Sequence, residues 1–153
     1  MSGVLLGFIA LRASLPAAAA DGLCPPLQEF VASVKPGETR VLKFHTIWGS
    51  NFKDRDGQAA GAKRCDFGDY ELAKSVCKYL MDSGSVDSPG FNAKAVISCV
   101  SPKTRFAAGT KLGAISFQMT VETDLRGSLV GVALKEDEQL GGVVLSISVT
   151  GNQ

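Results

Sequence analysis

Four cysteines constrain this chain more than any other feature of its sequence. They stand at Cys24, Cys65, Cys77 and Cys99, with 40, 11 and 21 residues between successive positions. No CxxC pair occurs, and His45 is far from every cysteine in the sequence, so the spacing supports neither a zinc module nor a redox motif. An even number of cysteines instead predicts two disulfides, which form in oxidising compartments.

Predicted secondary structure favours one pairing of these cysteines. Cys65 comes just before a predicted helix and Cys77 lies within it, so a rise of ~1.5 Å per residue separates them by more than ~10 Å. A disulfide needs Cα atoms within about 7 Å, which disfavours Cys65–Cys77. Cys77 and Cys99 lie on the apolar faces of the helix and of a following predicted strand. We therefore expect Cys77–Cys99 and Cys24–Cys65, with Cys65–Cys99 as the alternative that another register would allow.

The first 20 residues have the pattern of a signal peptide. An apolar run from Val4 to Leu11 precedes a small-residue segment that ends at Ala20. No basic residue precedes the run and Arg12 interrupts it, so an alanine-rich terminus of a cytosolic protein is the alternative. We predict cleavage after Ala20, a single globular domain over residues 21–153, and a periplasmic or secreted location. The apolar run is too short for a membrane span. We expect no membrane insertion of the domain that remains after the signal peptide is removed.

The charge balance disfavours a nucleic-acid partner. The chain has 16 Lys and Arg against 15 Asp and Glu, and the basic residues are dispersed. A nucleic-acid surface needs clustered positive charge to neutralise phosphates. With 45% apolar residues, the composition is that of an ordinary globular domain.

Hydrophobic periodicity predicts the order of the elements. Apolar residues spaced three and four apart indicate a helix from Pro25 to Val34 and a second helix from about Phe67 to Ser83. Alternating apolar residues indicate strands over 39–48 and 91–100 and three further strands in the last 40 residues. This order predicts an α+β fold: an antiparallel sheet of about five strands with two helices packed on one face.

No motif in the sequence indicates catalysis, a metal ion or a cofactor. His45 alternates with Lys43 on the predicted outer face of its strand, where we expect a solvent-exposed side chain. The acidic run Glu136 to Glu138 is interpreted as a solvated turn, with a binding determinant for a basic partner as the alternative. A calcium loop built around Gly57 would place Phe52 and Lys63 where acidic ligands are required, so calcium binding is excluded.

The segment from Gly49 to Arg64 is the predicted binding surface. It has no apolar period, and long loops on rigid scaffolds are often functional. For Trp48 and Phe52 the favoured interpretation is that they close one end of the core. For the whole segment the competing interpretation is a disordered connector that tolerates change. Four basic residues against two acidic ones favour a partner with an acidic patch. The proposed partner-binding residues are Trp48, Phe52, Lys53, Arg55, Lys63 and Arg64.

These observations favour a non-catalytic role. The leading hypothesis is an exported, disulfide-stabilised binding module, such as a protein inhibitor, an immunity-type protein or an envelope accessory protein. A small hydrolase that combines His45 with Asp54 or Asp56 is the first alternative. A structural component of the envelope is the second.

Overall fold

The chain folds into an α+β domain. The computed structural model describes residues 22–123 and 126–152. The predicted signal peptide and its cleavage site lie outside these residues. The described part contains a five-stranded antiparallel sheet and three helices, so the predicted fold class is confirmed.

The sheet has the strand order β2-β1-β5-β4-β3, and every neighbouring pair is antiparallel. The last three strands form the predicted meander, and the β1–β2 hairpin extends the sheet beyond β5. The elements are α1 Cys24–Ser33, β1 Thr39–Trp48, β2 Gly61–Asp66, α2 Glu71–Ser83, α3 Pro89–Val100, β3 Ile115–Thr123, β4 Arg126–Glu136 and β5 Val143–Gly151.

The core lies between the helices and one face of the sheet. Alternate residues of β1, β4 and β5 point into it and meet the apolar stripes of α1, α2 and α3. None of the three described helices packs on the opposite face of the sheet, here called the outer face. The largest fully buried core side chains include Leu27, Phe30, Leu42, Phe44, Leu80, Leu134, Leu145 and Ile147.

The segment predicted as a strand over residues 91–100 is helix α3. Pro89 occupies its first turn, where the missing N–H costs nothing. The buried residues Ala93, Val96, Ile97 and Val100 follow the spacing i, i+3, i+4 and i+7. The strand prediction was wrong because a short apolar run fits both periods, and only packing against the sheet selects one.

The fifth strand is β2, which lies in the segment predicted as a loop. All of its residues are partly or fully exposed, and β2 is an edge strand that pairs only with β1 among the described residues. An edge strand with no fully buried residue needs no alternating apolar pattern, so hydrophobic periodicity does not reveal it.

Both disulfides are present, but the predicted pairing is wrong. The bonds are Cys24–Cys99, with Cα atoms 4.9 Å apart, and Cys65–Cys77, with Cα atoms 5.6 Å apart. Cys65 belongs to β2, and the chain turns before α2 begins at Glu71, so α2 runs back beside the strand. The rise argument fails because the two residues do not share one helix. Cys99 reaches Cys24 because α3 packs against α1.

No helix in residues 22–123 and 126–152 is both long enough and apolar enough to cross a membrane.

Candidate functional site

Polar side chains gather at one corner of the outer face. Here His45 of β1 lies opposite Arg64 of β2 on one side and opposite Val144 of β5 on the other. The loop 49–60 and the turn 137–142 meet beside it. We call this region the outer corner.

His45 and Asp137 form a buried pair in the outer corner. The Nδ1 atom of His45 lies 2.6 Å from Oδ2 of Asp137, and the two side chains are 11% and 7% exposed. The alternation that placed His45 on the outer face is correct, but the predicted exposure is wrong because the turn covers this part of the face. The interpretation of Asp137 as a solvated turn residue is wrong for the same reason.

Two glycines allow the turn 137–142 to pack directly against β1. Gly141 and Gly142 have φ values of 82° and 75°, a backbone conformation that other residues rarely adopt. A Cβ atom on Gly142 would lie 2.2 Å from the carbonyl oxygen of Thr46. Only glycine permits this approach, and the approach brings Asp137 within hydrogen-bonding distance of His45.

Asp137 is ionised in the folded protein. Its Oδ1 atom accepts hydrogen bonds from the backbone N–H groups of Gln139 and Leu140, at 3.1 and 3.0 Å. Burial acts to raise the pKa of Asp137, but the bonds from Leu140, His45 and Gln139, together with the charge of His45, lower it below 3.8. An ionised carboxylate only accepts hydrogen bonds, so the His45 ring donates from Nδ1 and its Nε2 points away from the pair.

A cleft of about 400 Å³ adjoins the pair. Lys43, Lys135 and Ser146 line it together with His45. A histidine held by a carboxylate can act as a general base for a hydroxyl within reach of its second nitrogen. Ser146 offers a hydroxyl on the same face, two residues from the position opposite His45. In the described part of the chain, Asp137 is the only side chain hydrogen-bonded to the His45 ring.

The loop 49–60 is ordered by contacts with β2. Phe52 is buried, and the guanidinium of Arg64 lies 4.9 Å from the centre of its ring. The same guanidinium binds both carboxylate oxygens of Asp54, at 2.7 and 2.8 Å, and this hydrogen bonding lowers the pKa of Asp54. The charge of Arg64 is therefore balanced within the molecule.

Lys53 ties the loop to the turn. Its backbone N–H donates to the carbonyl of Leu140 and its ammonium donates to the carbonyl of Glu138, each at 2.9 Å. The turn that covers the His45–Asp137 pair is thus held from both β1 and the loop.

The predicted partner-binding residues lie on two sides of the sheet. Phe52, Lys53, Arg55 and Arg64 belong to the loop and the outer corner. The residues Trp48 and Lys63 lie on the helix face, since Lys63 is opposite Thr46 and its ammonium donates to the carbonyl of Met81 at 2.9 Å.

The two aromatic residues of the segment have different environments. Trp48 is 66% exposed, whereas Phe52 is 1% exposed. The interpretation in which both close one end of the core is therefore wrong for Trp48, and Phe52 is buried beneath Arg64 in the outer corner instead of in the core between the helices and the sheet.

Sequence reasoning missed Asp137 as a site residue. An aspartate shortly before two glycines is typical of a turn whose carboxylate binds nearby backbone N–H groups, and this signal was present. Its contact with His45 spans 92 positions and leaves no local signal.

Among residues 22–123 and 126–152, no group of three or more His, Cys, Asp or Glu side chains is placed to hold a metal ion. Comparison with protein-family models, with curated proteins and with solved structures finds no match for this chain.

Proposed function

We propose that this chain is an exported, disulfide-stabilised protein-binding module whose recognition surface is centred on Trp48. The observation that carries the proposal is the 66% exposure of this side chain at the end of a paired strand. Tryptophan is usually well buried, and it is among the residues most enriched at the energetic centres of protein interfaces.

The backbone around Trp48 is held rigidly, which favours binding. Trp48 pairs with Gly61 of β2, and the N–H of Gly49 donates to the carbonyl of Ala60 at 3.0 Å. The disulfide Cys65–Cys77 fastens β2 to α2. Because the surface is already ordered, a partner does not have to overcome a large loss of conformational entropy.

The residues near Trp48 indicate the chemistry of the partner. Met81, 40% exposed, adds apolar surface on the same face, and Lys63 supplies a positive charge there. Lys53 and Arg55 lie on the outer-corner side of the sheet, where Arg64 is neutralised by Asp54, so Lys63 is the predicted charge that shares a face with Trp48. We expect a protein with an apolar pocket for the indole ring and acidic residues at its rim.

An exported location suits the disulfides. Two disulfides with no free cysteine in the described residues are typical of proteins from oxidising environments. A periplasmic or secreted inhibitor, immunity-type protein or envelope accessory protein would meet these conditions.

Affinity capture from the envelope and secreted fractions of the native host tests the proposal. Wild-type protein is compared with Trp48→Ala and with the control Phe91→Ala, which removes an aromatic side chain 55% exposed elsewhere. We expect Trp48→Ala to weaken binding of the captured protein by more than ~10-fold at an unchanged melting temperature. Equal binding by wild type and Trp48→Ala, or loss of binding only in Phe91→Ala, would contradict the proposed surface.

The charge contribution has its own test. Replacing Lys63 with serine should weaken binding and reduce its dependence on salt. The control Lys111→Ser changes an exposed lysine outside this surface and should leave binding unchanged. A salt dependence equal to that of wild type would show that the partner is not acidic.

A small hydrolase is the second candidate function, because His45 is held by Asp137 at 2.6 Å beside a cleft. Asp137 takes the place of Asp54 or Asp56, the two carboxylates that the sequence suggested as partners of His45. Hydrolysis of a panel of activated esters should then exceed background for wild type and fall to background for Ser146→Ala. Rates at background for wild type, or unchanged rates in Ser146→Ala, would contradict a serine-dependent hydrolase. The third hypothesis, a structural envelope component, stays a prediction.

A further inference from the structure

Strand β3 is an unprotected edge of the sheet. It is nine residues long, and among the described residues it pairs only with β4. Edge strands are usually protected from further pairing by lysine, proline, bulges or short length. The β3 sequence has no lysine, arginine or proline, and its register with β4 is continuous over all nine residues. The other edge, β2, is shorter, carries Lys63 and Arg64, and is fastened by a disulfide.

An apolar groove follows the helix-facing side of β3. It has a volume of about 930 Å³ and separates β3 from α1 and α3. Its walls are formed mainly by apolar residues such as Val31, Val100, Met119 and Val121, and the charged residues Glu29, Lys103 and Glu122 also line it. The helices therefore do not fully cover β3, and its apolar side chains are only partly buried.

We infer that a second copy of this chain pairs with β3 through its own β3, in antiparallel orientation about a two-fold axis. The inference is independent of the proposed recognition surface, since Trp48 lies beside β2 at the opposite edge of the sheet. The pairing joins two five-stranded sheets into one of ten strands.

The sequence of β3 is complementary to itself in this orientation. With Gln118 of one copy opposite Gln118 of the other, Phe117 faces Met119 and Ile115 faces Val121. All four apolar residues of the helix-facing side then meet apolar partners across the interface, and each such pair stabilises a sheet. The exposed Gln118 amides can hydrogen-bond to each other on the outer face.

Charge favours a second copy over a strand of another protein. In this register Ser116 faces Thr120, and Glu122, the one charged residue of β3, faces Ala114. No like charges are brought together, and Glu122 is the only charge through which β3 itself could attract a strand of opposite charge. A two-fold contact also uses both β3 edges, so assembly stops at the dimer.

Sedimentation of the full disulfide-bonded chain tests the inference. We expect wild type to dimerise with a Kd in the micromolar range. Gln118→Lys and Gln118→Glu each place like charges opposite one another and should weaken the dimer by more than ~10-fold. An equimolar mixture of the two variants should dimerise again, because lysine then faces glutamate. Gln58→Lys, which makes the same charge change at an exposed loop residue, should leave the dimer intact.

Three results would overturn the inference. The first is a wild-type monomer at concentrations up to ~100 µM, whether or not an added extended peptide binds β3. The second is a dimer that Gln118→Lys does not weaken. The third is a pair of monomeric variants that stay monomeric when mixed. Far-ultraviolet circular dichroism and melting temperature establish that each variant is folded.

Discussion

At the scale of single residues, the His45–Asp137 pair links strand β1 to the turn 137–142, which is 92 positions away in the sequence. Asp137 closes its own turn through two backbone N–H groups, and its second oxygen binds a ring on β1. Removing either partner leaves a buried polar group without its hydrogen bond, which costs more than the loss of an exposed contact.

We therefore expect His45→Ala to lower the free energy of unfolding by about 1.5–3 kcal/mol. The expected loss is larger than the small change that removal of a solvent-exposed histidine would cause. Urea denaturation of the variant measures it, with Lys43→Ala as a matched control on the same strand face. Lys43 is exposed, so its removal should change the free energy by less than ~0.5 kcal/mol. Equal effects for the two variants would show that the pair does not stabilise the fold.

The pH dependence of stability should also depend on Asp137. The pKa of Asp137 is below 3.8 in the folded protein, so its ionised form stabilises the fold. This contribution is present above the ordinary pKa and is lost as the pH falls below 3.8 through the folded-state value. When the pH is lowered through this window, the free energy of unfolding should fall less for Asp137→Asn than for wild type. The charges of His45 and Arg64 also act on Asp137 in this window. Parallel curves of unfolding free energy against pH would contradict the assignment.

Gly142 tests how closely the turn must approach β1. Gly142→Ala combines an unfavourable φ of 75° with a collision at the Thr46 carbonyl, whereas Gly109→Ala has a φ of 76° and open space around the new methyl group. We expect Gly109→Ala to lower the free energy of unfolding by about 1–2 kcal/mol and Gly142→Ala to lower it by clearly more. Thermal unfolding of both variants measures the difference. Similar melting temperatures would mean that the turn can move away from β1 without cost.

At the scale of elements, the two disulfides stabilise the fold in different ways. Cys24–Cys99 joins α1 to α3 across a separation of 75 residues, and Cys65–Cys77 joins β2 to α2 across 12. The longer loop restricts the unfolded chain more strongly, while the shorter one fastens an edge strand that has few apolar contacts.

Removing the long-range bond should therefore destabilise the protein more. The chain-entropy model gives about 4–5 kcal/mol for Cys24→Ala/Cys99→Ala and about 3 kcal/mol for Cys65→Ala/Cys77→Ala. Urea denaturation of the two double variants tests the order. Greater destabilisation by the second would show that strain or packing, and not loop entropy, dominates. A non-reducing peptide map of wild type should recover the pairs Cys24–Cys99 and Cys65–Cys77.

At the scale of the whole molecule, the sheet is organised around its last strand. β5 lies between β1 and β4, so it joins the β1–β2 hairpin to the β3–β4 hairpin. The contacts that complete the sheet thus connect the ends of the described chain. Such long-range pairing costs loop entropy before it stabilises the fold.

A chain that ends at residue 142 should accordingly fail to unfold cooperatively. It lacks the central strand and leaves two hairpins without their common partner. A chain that ends at Gly151 keeps β5 and serves as the control. Circular dichroism during heating distinguishes them, and a cooperative transition in the shorter chain would show that the remaining elements form a core without β5.

The sequence alone determined the features that depend on local patterns. Periodicity identified α1, α2, β1 and the final meander, and an even cysteine count indicated two disulfides. The same alternation correctly placed His45 on the outer face.

Only the tertiary structure decided the features that depend on which surfaces meet. It made residues 91–100 a helix, because their short apolar run fits either period until α3 packs against the sheet and α1. It paired Cys65 with Cys77, because the chain reverses between β2 and α2. It buried His45 under a turn 92 positions away and left Trp48 exposed, because exposure is set by the elements that pack against a residue and not by the residue's own pattern.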